Sequence, residues 1–385
     1  MNRIVHEKTS LLIFYIAIVL AGVGTTILGP ILPALSSQWG MNDAHAGALF
    51  TAQFLGSALG GLLAGLHPLR SAITGFITAA LGLLLLTVAS IHSAAPVIFG
   101  YGLGVGLVLT GINLTVSRLA GDKRGAALSW LNFCWSLGAT ICPVVTAMFV
   151  ARHVLNGFLI MLSVLYVISA IVVLIYSKTY VQTALTEVPR TGTAPISIRF
   201  FIIYFSIVLF LYVGVETTLG GWLSTLANRL HHASVVGAFA ISASSFFWLA
   251  LLIGRGISPL LLRKIPETVL QPTAVGLSVV SICFLLTVQS FVGVAIAGSL
   301  AGLSLAPVFP LSLSFFLSHA GQSRSVGLVF AICGTGGAVL PWITGIVSTY
   351  RQSLQWGLSV PLVAAVLMLV LSLNYVFSVR LRTDS

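Results

Sequence analysis

Charge is the scarcest property of this sequence. Only 6% of its 385 residues are charged, against roughly 25% in ordinary soluble domains. Hydrophobic residues make up 58%, and mean hydropathy is +1.09. No water-soluble fold could hide that much apolar surface. Cysteine is sparse as well: Cys134, Cys142, Cys283 and Cys333 all lie inside apolar stretches, where they offer neither a metal-ligand cluster nor a disulfide framework. Walker-type phosphate loops, a His-Glu-x-x-His zinc motif and a Gly-x-Ser-x-Gly elbow are missing, and the polar breaks are too short for a folded catalytic domain. An enzyme is not expected, nor is ATP-driven transport by this chain alone, and no cofactor or metal is expected.

What the sequence has in abundance is long apolar runs. Stretches of about 20 residues, enough to cross about 30 Å of hydrocarbon, recur along the whole chain. The expected spans are 11–35, 44–66, 71–91, 95–118, 125–150, 154–176, 200–225, 235–258, 268–288, 291–317, 325–349 and 355–378, twelve in all. Period-two alternation is absent, so helices rather than barrel strands must satisfy the backbone in lipid. The Met-Asn-Arg start followed by an apolar run is read as the first span, because removing it would spoil the even count.

A formal charge of +11 would suggest nucleic acid as the partner of a soluble protein. Here its sidedness matters more. With the N-terminus cytoplasmic, Arg152, Arg229 and Arg351 fall outside and the other fifteen Lys and Arg residues fall inside, Arg255 among them. Both termini are therefore expected in the cytoplasm, with the chain in the cytoplasmic (inner) membrane, the lipid bilayer as its surroundings and no nucleic-acid partner. A monomer is expected.

The longest polar connection, 177–199, falls near the midpoint and reads as a linker between an N-terminal six-helix bundle (1–176) and a C-terminal one (200–385). The two halves echo each other. Ala120-Gly121-Asp122-Lys123-Arg124-Gly125 and Pro143 are matched by Ala320-Gly321-Gln322-Ser323-Arg324-Ser325 and Pro341, and Arg152 by Arg351, at offsets of 198 to 200 residues. A parallel repeat of two six-helix bundles is the arrangement in which a substrate is exposed to each side in turn. The expected fold is an all-α membrane protein of twelve transmembrane helices in two pseudo-symmetric halves. Gly56, Ser57 and Gly60 share one face of the second span, where small residues let helices approach closely.

Of the seven acidic residues, Glu7, Asp43, Asp122, Glu187, Glu267 and Asp384 sit in loops or at span ends, which leaves Glu216 as the one carboxylate deep in a span. An intramembrane ionisable group marks a functional site by default. Glu216 could exchange a coupling proton, accept hydrogen bonds from sugar hydroxyls, or pair with an arginine that locks its helix. Gln53, Asn113, Asn132, Ser244 and Ser245 are polar groups at mid-span depth. Asn132 with Trp135, and Ser244 with Trp248, each share a helix face and set a polar group beside an aromatic plate. Pyranoses, with apolar C–H faces and polar edges, suit that combination. Trp222 is open to ligand contact or an interfacial anchor; Trp39 and Trp356 read as anchors. All eight histidines fall in loops or at span ends, which excludes a buried histidine relay.

The pattern Arg118…Asp122-Lys123-Arg124-Gly125…Leu131-Asn132…Gly138…Pro143 resembles the connection between the fourth and fifth helices of the major facilitator superfamily. Gly65-Leu66-His67-Pro68-Leu69-Arg70, and Gly254-Arg255 with Arg263-Lys264, resemble that superfamily's basic loops in shortened form, the first without its acidic member. Tyr212-Val213-Gly214-Val215-Glu216-Thr217-Thr218-Leu219-Gly220-Gly221-Trp222-Leu223 resembles the seventh helix of its fucose/glucose-type sugar:proton symporter branch. Where that branch's fucose transporter has acidic residues in its first and fourth helices, this chain has Thr25, Thr26 and Asn113. The resemblance implies a secondary transporter that moves a small polar solute, a monosaccharide such as a hexose, by alternating access. Glu216 is the expected proton-coupling residue and Gln53, Asn113, Asn132, Trp135, Glu216, Trp222, Ser244 and Trp248 the expected substrate-binding residues. A proton or sodium ion is the expected co-substrate; uncoupled facilitation and export of drugs or lipophilic metabolites are the alternatives.

Overall fold

The computed structural model describes residues 2–65, 67–120, 124–180, 199–230, 240–320 and 325–383. Among them it forms α1 (Asn2–Thr26), α2 (Leu28–Trp39), α3 (Asp43–Ala64), α4 (Pro68–Leu86), α5 (Ile91–Leu119), α6 (Arg124–Ala151), α7 (Leu155–Tyr180) and α8 (Arg199–Leu230). These are followed by α9 (Ala243–Leu261), α10 (Glu267–Leu285), α11 (Phe291–Leu305), α12 (Val308–Ala320), α13 (Ser325–Arg351), α14 (Leu354–Gly357) and α15 (Ser359–Thr383). Twelve spans among the described residues are long and apolar enough to cross a membrane, and each overlaps a span expected from hydropathy. Large apolar side chains face outward, such as Leu62 at 63% and Val280 at 65% exposure. That surface belongs in lipid, not water.

Three spans are not single helices; the twelfth is interrupted near its start, at Leu358 between α14 and α15. The first runs from Leu11 to Trp39, further than expected, and is interrupted at Ile27 between α1 and α2. Pro30 has no N–H to offer the carbonyl of Thr26, and its ring crowds that carbonyl. The tenth is interrupted at Ala306-Pro307 between α11 and α12, where Pro307 deprives Leu303 in the same way. Hydropathy is blind to both proline breaks because proline in an apolar run leaves the average unchanged.

Helix α7 continues through Tyr180 and α8 begins at Arg199, so the expected linker 177–199 is helical at both edges. Its middle, 181–198, lies outside the described residues, as do His231, His232 and most of both loops that carry the repeated Ala-Gly landmark.

The chain divides into two compact units, Met1–Met41 with Leu49–Arg190, and Asn42–Ala48 with Thr191–Ser385. In the first, α1 packs on α6 and α4 lies between α5 and α7. A β-carbon at Gly138 of α6 would sit 2.0 Å from the Val19 carbonyl oxygen, and one at Gly22 of α1 would sit 2.1 Å from that of Trp135. Helices α3 and α5 interlock likewise: Gly56 and Gly60 press on Phe99 and Leu103, while Gly102 and Gly106 press on Gln53 and Ser57. Backbones this close exclude any side chain at those points.

In the second unit α8 packs on α13 and α9 on α11, with Gly336 against the Phe210 carbonyl and Gly302 against that of Phe247. Gly336 stands 198 residues after Gly138, and Gly302 stands 200 after Gly102. The repeat extends to the helix ends. His153 after α6 and Gln352 after α13 both adopt positive φ, 56° and 52°. Each closes the same pair of backbone bonds, Val154 N to Phe149 O with His153 N to Val150 O, and Ser353 N to Ser348 O with Gln352 N to Thr349 O, the Schellman geometry.

The short stretch Asn42–Ala48 belongs to the second unit because its polar groups are satisfied there. Arg229 at the end of α8 grips both carboxylate oxygens of Asp43, Nη1 donating to Oδ2 at 2.8 Å and Nη2 to Oδ1. The Ser348 hydroxyl also donates to Oδ2, and the Ala44 N–H donates to Thr349 Oγ1 at 2.9 Å.

Candidate functional site

Most of the polar residues singled out from sequence gather into one group in each unit. In the second, α8 carries Tyr212, Glu216, Gly220 and Ser224 at intervals of four, a single stripe on the helix surface. Helix α9 runs alongside and answers with Ser244, Trp248 and Arg255. At one end of the seam the Ser224 hydroxyl donates to the Ile241 carbonyl at 2.6 Å and lies 2.8 Å from the Ser244 hydroxyl, which is left as the donor to it. Next, the Trp248 ring packs so close on Gly220 that an added β-carbon would come within 2.3 Å of it. Then Arg255 Nη2 donates to Glu216 Oε1 at 2.9 Å, and the Tyr212 hydroxyl donates to the same oxygen at 3.0 Å.

Arg255 was expected among the inner-side basic residues, near the end of the span 235–258, and was likened to a basic loop; it lies within α9, paired with Glu216. A guanidinium on a three-carbon stem can reach inward from near a helix end, and the buried carboxylate gives it reason to do so. Ser244 is fully buried and Trp248 is 4% exposed, both consumed in helix packing. Trp222 is fully buried and its indole N–H donates to the Pro341 carbonyl at 3.1 Å, so it is neither an interfacial anchor nor open to a ligand. Trp356, by contrast, is exposed, with the Arg351 guanidinium 5.7 Å from its ring centre.

In the first unit Thr25, the last residue but one of α1, is the meeting point. Gln53 Nε2 of α3 donates to its carbonyl at 2.9 Å, and Trp135 Nε1 of α6 donates to its hydroxyl at 3.3 Å. Immediately before it, Tyr101 donates to the Gly24 carbonyl at 2.7 Å and Tyr166 to that of Leu20 at 3.2 Å. Gln53 is buried and its Oε1 accepts no hydrogen bond among the described residues. Asn113 spends its amide on the Leu109 carbonyl of its own helix at 2.8 Å, and Asn132 is exposed on α6. Neither joins the group at Thr25.

Sequence reasoning missed Tyr212, Ser224 and Arg255 as members of the α8–α9 seam. The four-residue spacing from Tyr212 to Ser224 was the available signal. Among the described residues no three His, Cys, Asp or Glu side chains come together to hold a metal ion.

Twelve spans among the described residues that are long and apolar enough to cross a membrane, with a glycine-locked internal repeat, define a multi-pass integral membrane protein. The family model described as Major Facilitator Superfamily matches residues 14–341, and the chain belongs to that superfamily. Among curated relatives, Sodium-dependent glucose transporter 1 of Danio rerio is 23% identical over 86% of this chain, which spans 63% of that relative's length. The glucose/galactose transporter of Brucella abortus biovar 1 (strain 9-941) is 25% identical over 72% of this chain and 71% of its own. A solved bacterial homolog of the human lysosomal transporter Spinster, inward-facing and unoccupied, shares the fold with a TM-score of 0.79. Its identity is 12%, over 96% of this chain and 97% of that one.

Proposed function

We propose that this chain is a secondary transporter that moves a small neutral hydroxylated solute, a monosaccharide such as a hexose, across the cytoplasmic membrane by alternating access. The observation that carries the reading is charge balance. The two carboxylates buried among the described residues, Asp43 and Glu216, are each matched by an arginine, Arg229 and Arg255. A charged solute would find no spare countercharge at these groups, and bringing one in would carry the full desolvation cost. A neutral solute needs only hydrogen-bond partners beside apolar rings. Within the first unit Gln53 and Trp135 at Thr25 are the candidates to supply them, with Asn113 and Asn132 standing apart from that group; within the second unit Glu216 is the candidate, while Trp222, Ser244 and Trp248 hold helices together. The glucose and galactose in the relatives' names agree with this chemistry.

The excess of basic residues at the chain ends and in the inner loops supports a reading with both termini in the cytoplasm, and a monomer is part of the same proposal. The test is uptake of a labelled hexose panel into proteoliposomes, with and without inward proton or sodium gradients, comparing wild type with Glu216→Gln. Proton-stimulated uptake that Glu216→Gln abolishes assigns symport through that carboxyl. Sodium-stimulated uptake assigns sodium as the coupling ion, and uptake indifferent to both gradients assigns facilitation. A folded protein that moves no hexose removes the sugar reading and brings export of lipophilic compounds forward.

A further inference from the structure

Glu216 is held unevenly. Both bonds it receives, from Arg255 Nη2 at 2.9 Å and Tyr212 Oη at 3.0 Å, land on Oε1, and Oε2 takes neither. Arg255 Nη2 also comes within 3.4 Å of the Tyr212 hydroxyl, so the three groups close into a triangle. Tyr212 is itself immobilised: it is fully buried, and its ring lies 5.5 Å from that of Phe309 of α12. Glu216 retains 7% of its surface despite this anchoring. A carboxylate whose purpose was to lock α8 to α9 would use both oxygens on Arg255 in the bidentate fork that guanidinium and carboxylate favour, the geometry that Asp43 and Arg229 do adopt here.

We propose that Glu216 presents Oε2 to a hydroxyl of the transported sugar, and that Arg255 and Tyr212 are positioning residues which aim it by pinning Oε1. This rests on the sugar reading of the same site. An ionised carboxylate accepts and never donates, so the group it reads is a hydroxyl hydrogen, and the bond is charge-assisted. Pre-aiming matters because a carboxylate free to rotate would have to be ordered each time a sugar arrived. The site should therefore discriminate against a sugar that lacks that hydroxyl, since the buried acceptor would then be left unsatisfied.

The experiment is uptake kinetics in proteoliposomes for the hexose that wild type moves best and for its monodeoxy analogues, in wild type, Glu216→Gln, Arg255→Lys and Tyr212→Phe. Wild type should move one deoxy analogue with Vmax/KM lower by about tenfold or more. In Tyr212→Phe and Arg255→Lys the KM for the parent hexose should rise by about tenfold while that for the same analogue stays put, so discrimination collapses to the level of Glu216→Gln. Tyr212→Phe keeps the ring and its packing, so it reports even where Arg255→Lys fails to fold. Folded variants whose KM rises equally for parent and analogue, or does not rise, overturn the positioning role and leave sugar transport standing. Wild type that moves a hexose without distinguishing any deoxy analogue overturns the role of Oε2. Wild type that moves no hexose overturns this inference and the sugar reading together.

Discussion

Arg255 and Glu216, 39 residues apart in sequence, meet at 2.9 Å across the seam between α8 and α9. Their side chains are 20% and 10% exposed, so each depends on the other for compensation. Breaking such a pair from one side strands the other charge. Arg255→Ala should therefore lower stability by about 3–5 kcal/mol. The double variant Arg255→Ala/Glu216→Ala should lose clearly less than the two single losses combined, because no charge is left stranded. Thermal unfolding of detergent-purified protein checks this, and simple additivity would mean the two groups do not stabilise each other.

Two glycines of α5, two residues apart, separate packing from propensity. A β-carbon at Gly102 would lie 2.0 Å from the Gln53 carbonyl, whereas one at Gly100 meets nothing within 4 Å. Gly102→Ala should cost about 1–3 kcal/mol by forcing α3 and α5 apart. Gly100→Ala should be neutral or stabilise by up to about 1 kcal/mol, since alanine suits a helix interior better. Equal thermal midpoints for the two variants would show that α3 and α5 are free to separate.

The contact between Asp43 and Arg229 is lopsided. Asp43 is 7% exposed and is also reached by Ser348, while the Arg229 side chain is 43% exposed. Removing the arginine leaves a buried carboxylate with one hydroxyl donor. Replacing the carboxylate by an amide leaves an arginine able to turn to water and an oxygen still able to accept from Ser348. Arg229→Ala should thus destabilise more than Asp43→Asn, by on the order of 1–2 kcal/mol, in the same thermal assay. The reverse order would place the cost on the arginine.

Much of this architecture was legible because lipid imposes a simple code. Twenty apolar residues make a span whatever their order, and the repeat offset near 200 residues, read from Pro143 with Pro341 and Arg152 with Arg351, recurs in Gly138 with Gly336 and in His153 with Gln352. What escaped depends on partners distant in sequence. Pro30 and Pro307 break their spans through a missing N–H that hydropathy does not register. Arg255 looked like part of a loop because its charge is visible in sequence, while the carboxylate 39 residues earlier that draws it inward is not. Trp222 was open to ligand contact or an interfacial anchor from its position along α8; the carbonyl of Pro341 that receives its N–H belongs to α13 and gave no local signal.

Gln53 tests whether the group at Thr25 serves transport or only packing. Its Nε2 donates to the Thr25 carbonyl at 2.9 Å, just ahead of the interruption at Ile27, while its Oε1 is buried without a hydrogen bond among the described residues. Gln53→Leu keeps the volume, loses one bond worth about 1 kcal/mol, and removes the orphaned oxygen whose burial is itself unfavourable. The two terms oppose each other, so stability should change by less than about 1 kcal/mol. A residue that also binds sugar should nonetheless show in transport, with the hexose KM rising about tenfold as one polar contact is lost. Parallel thermal unfolding and uptake kinetics decide between the roles. A large stability loss with KM unchanged would make Gln53 an interhelical tie and remove it from the proposed sugar contacts.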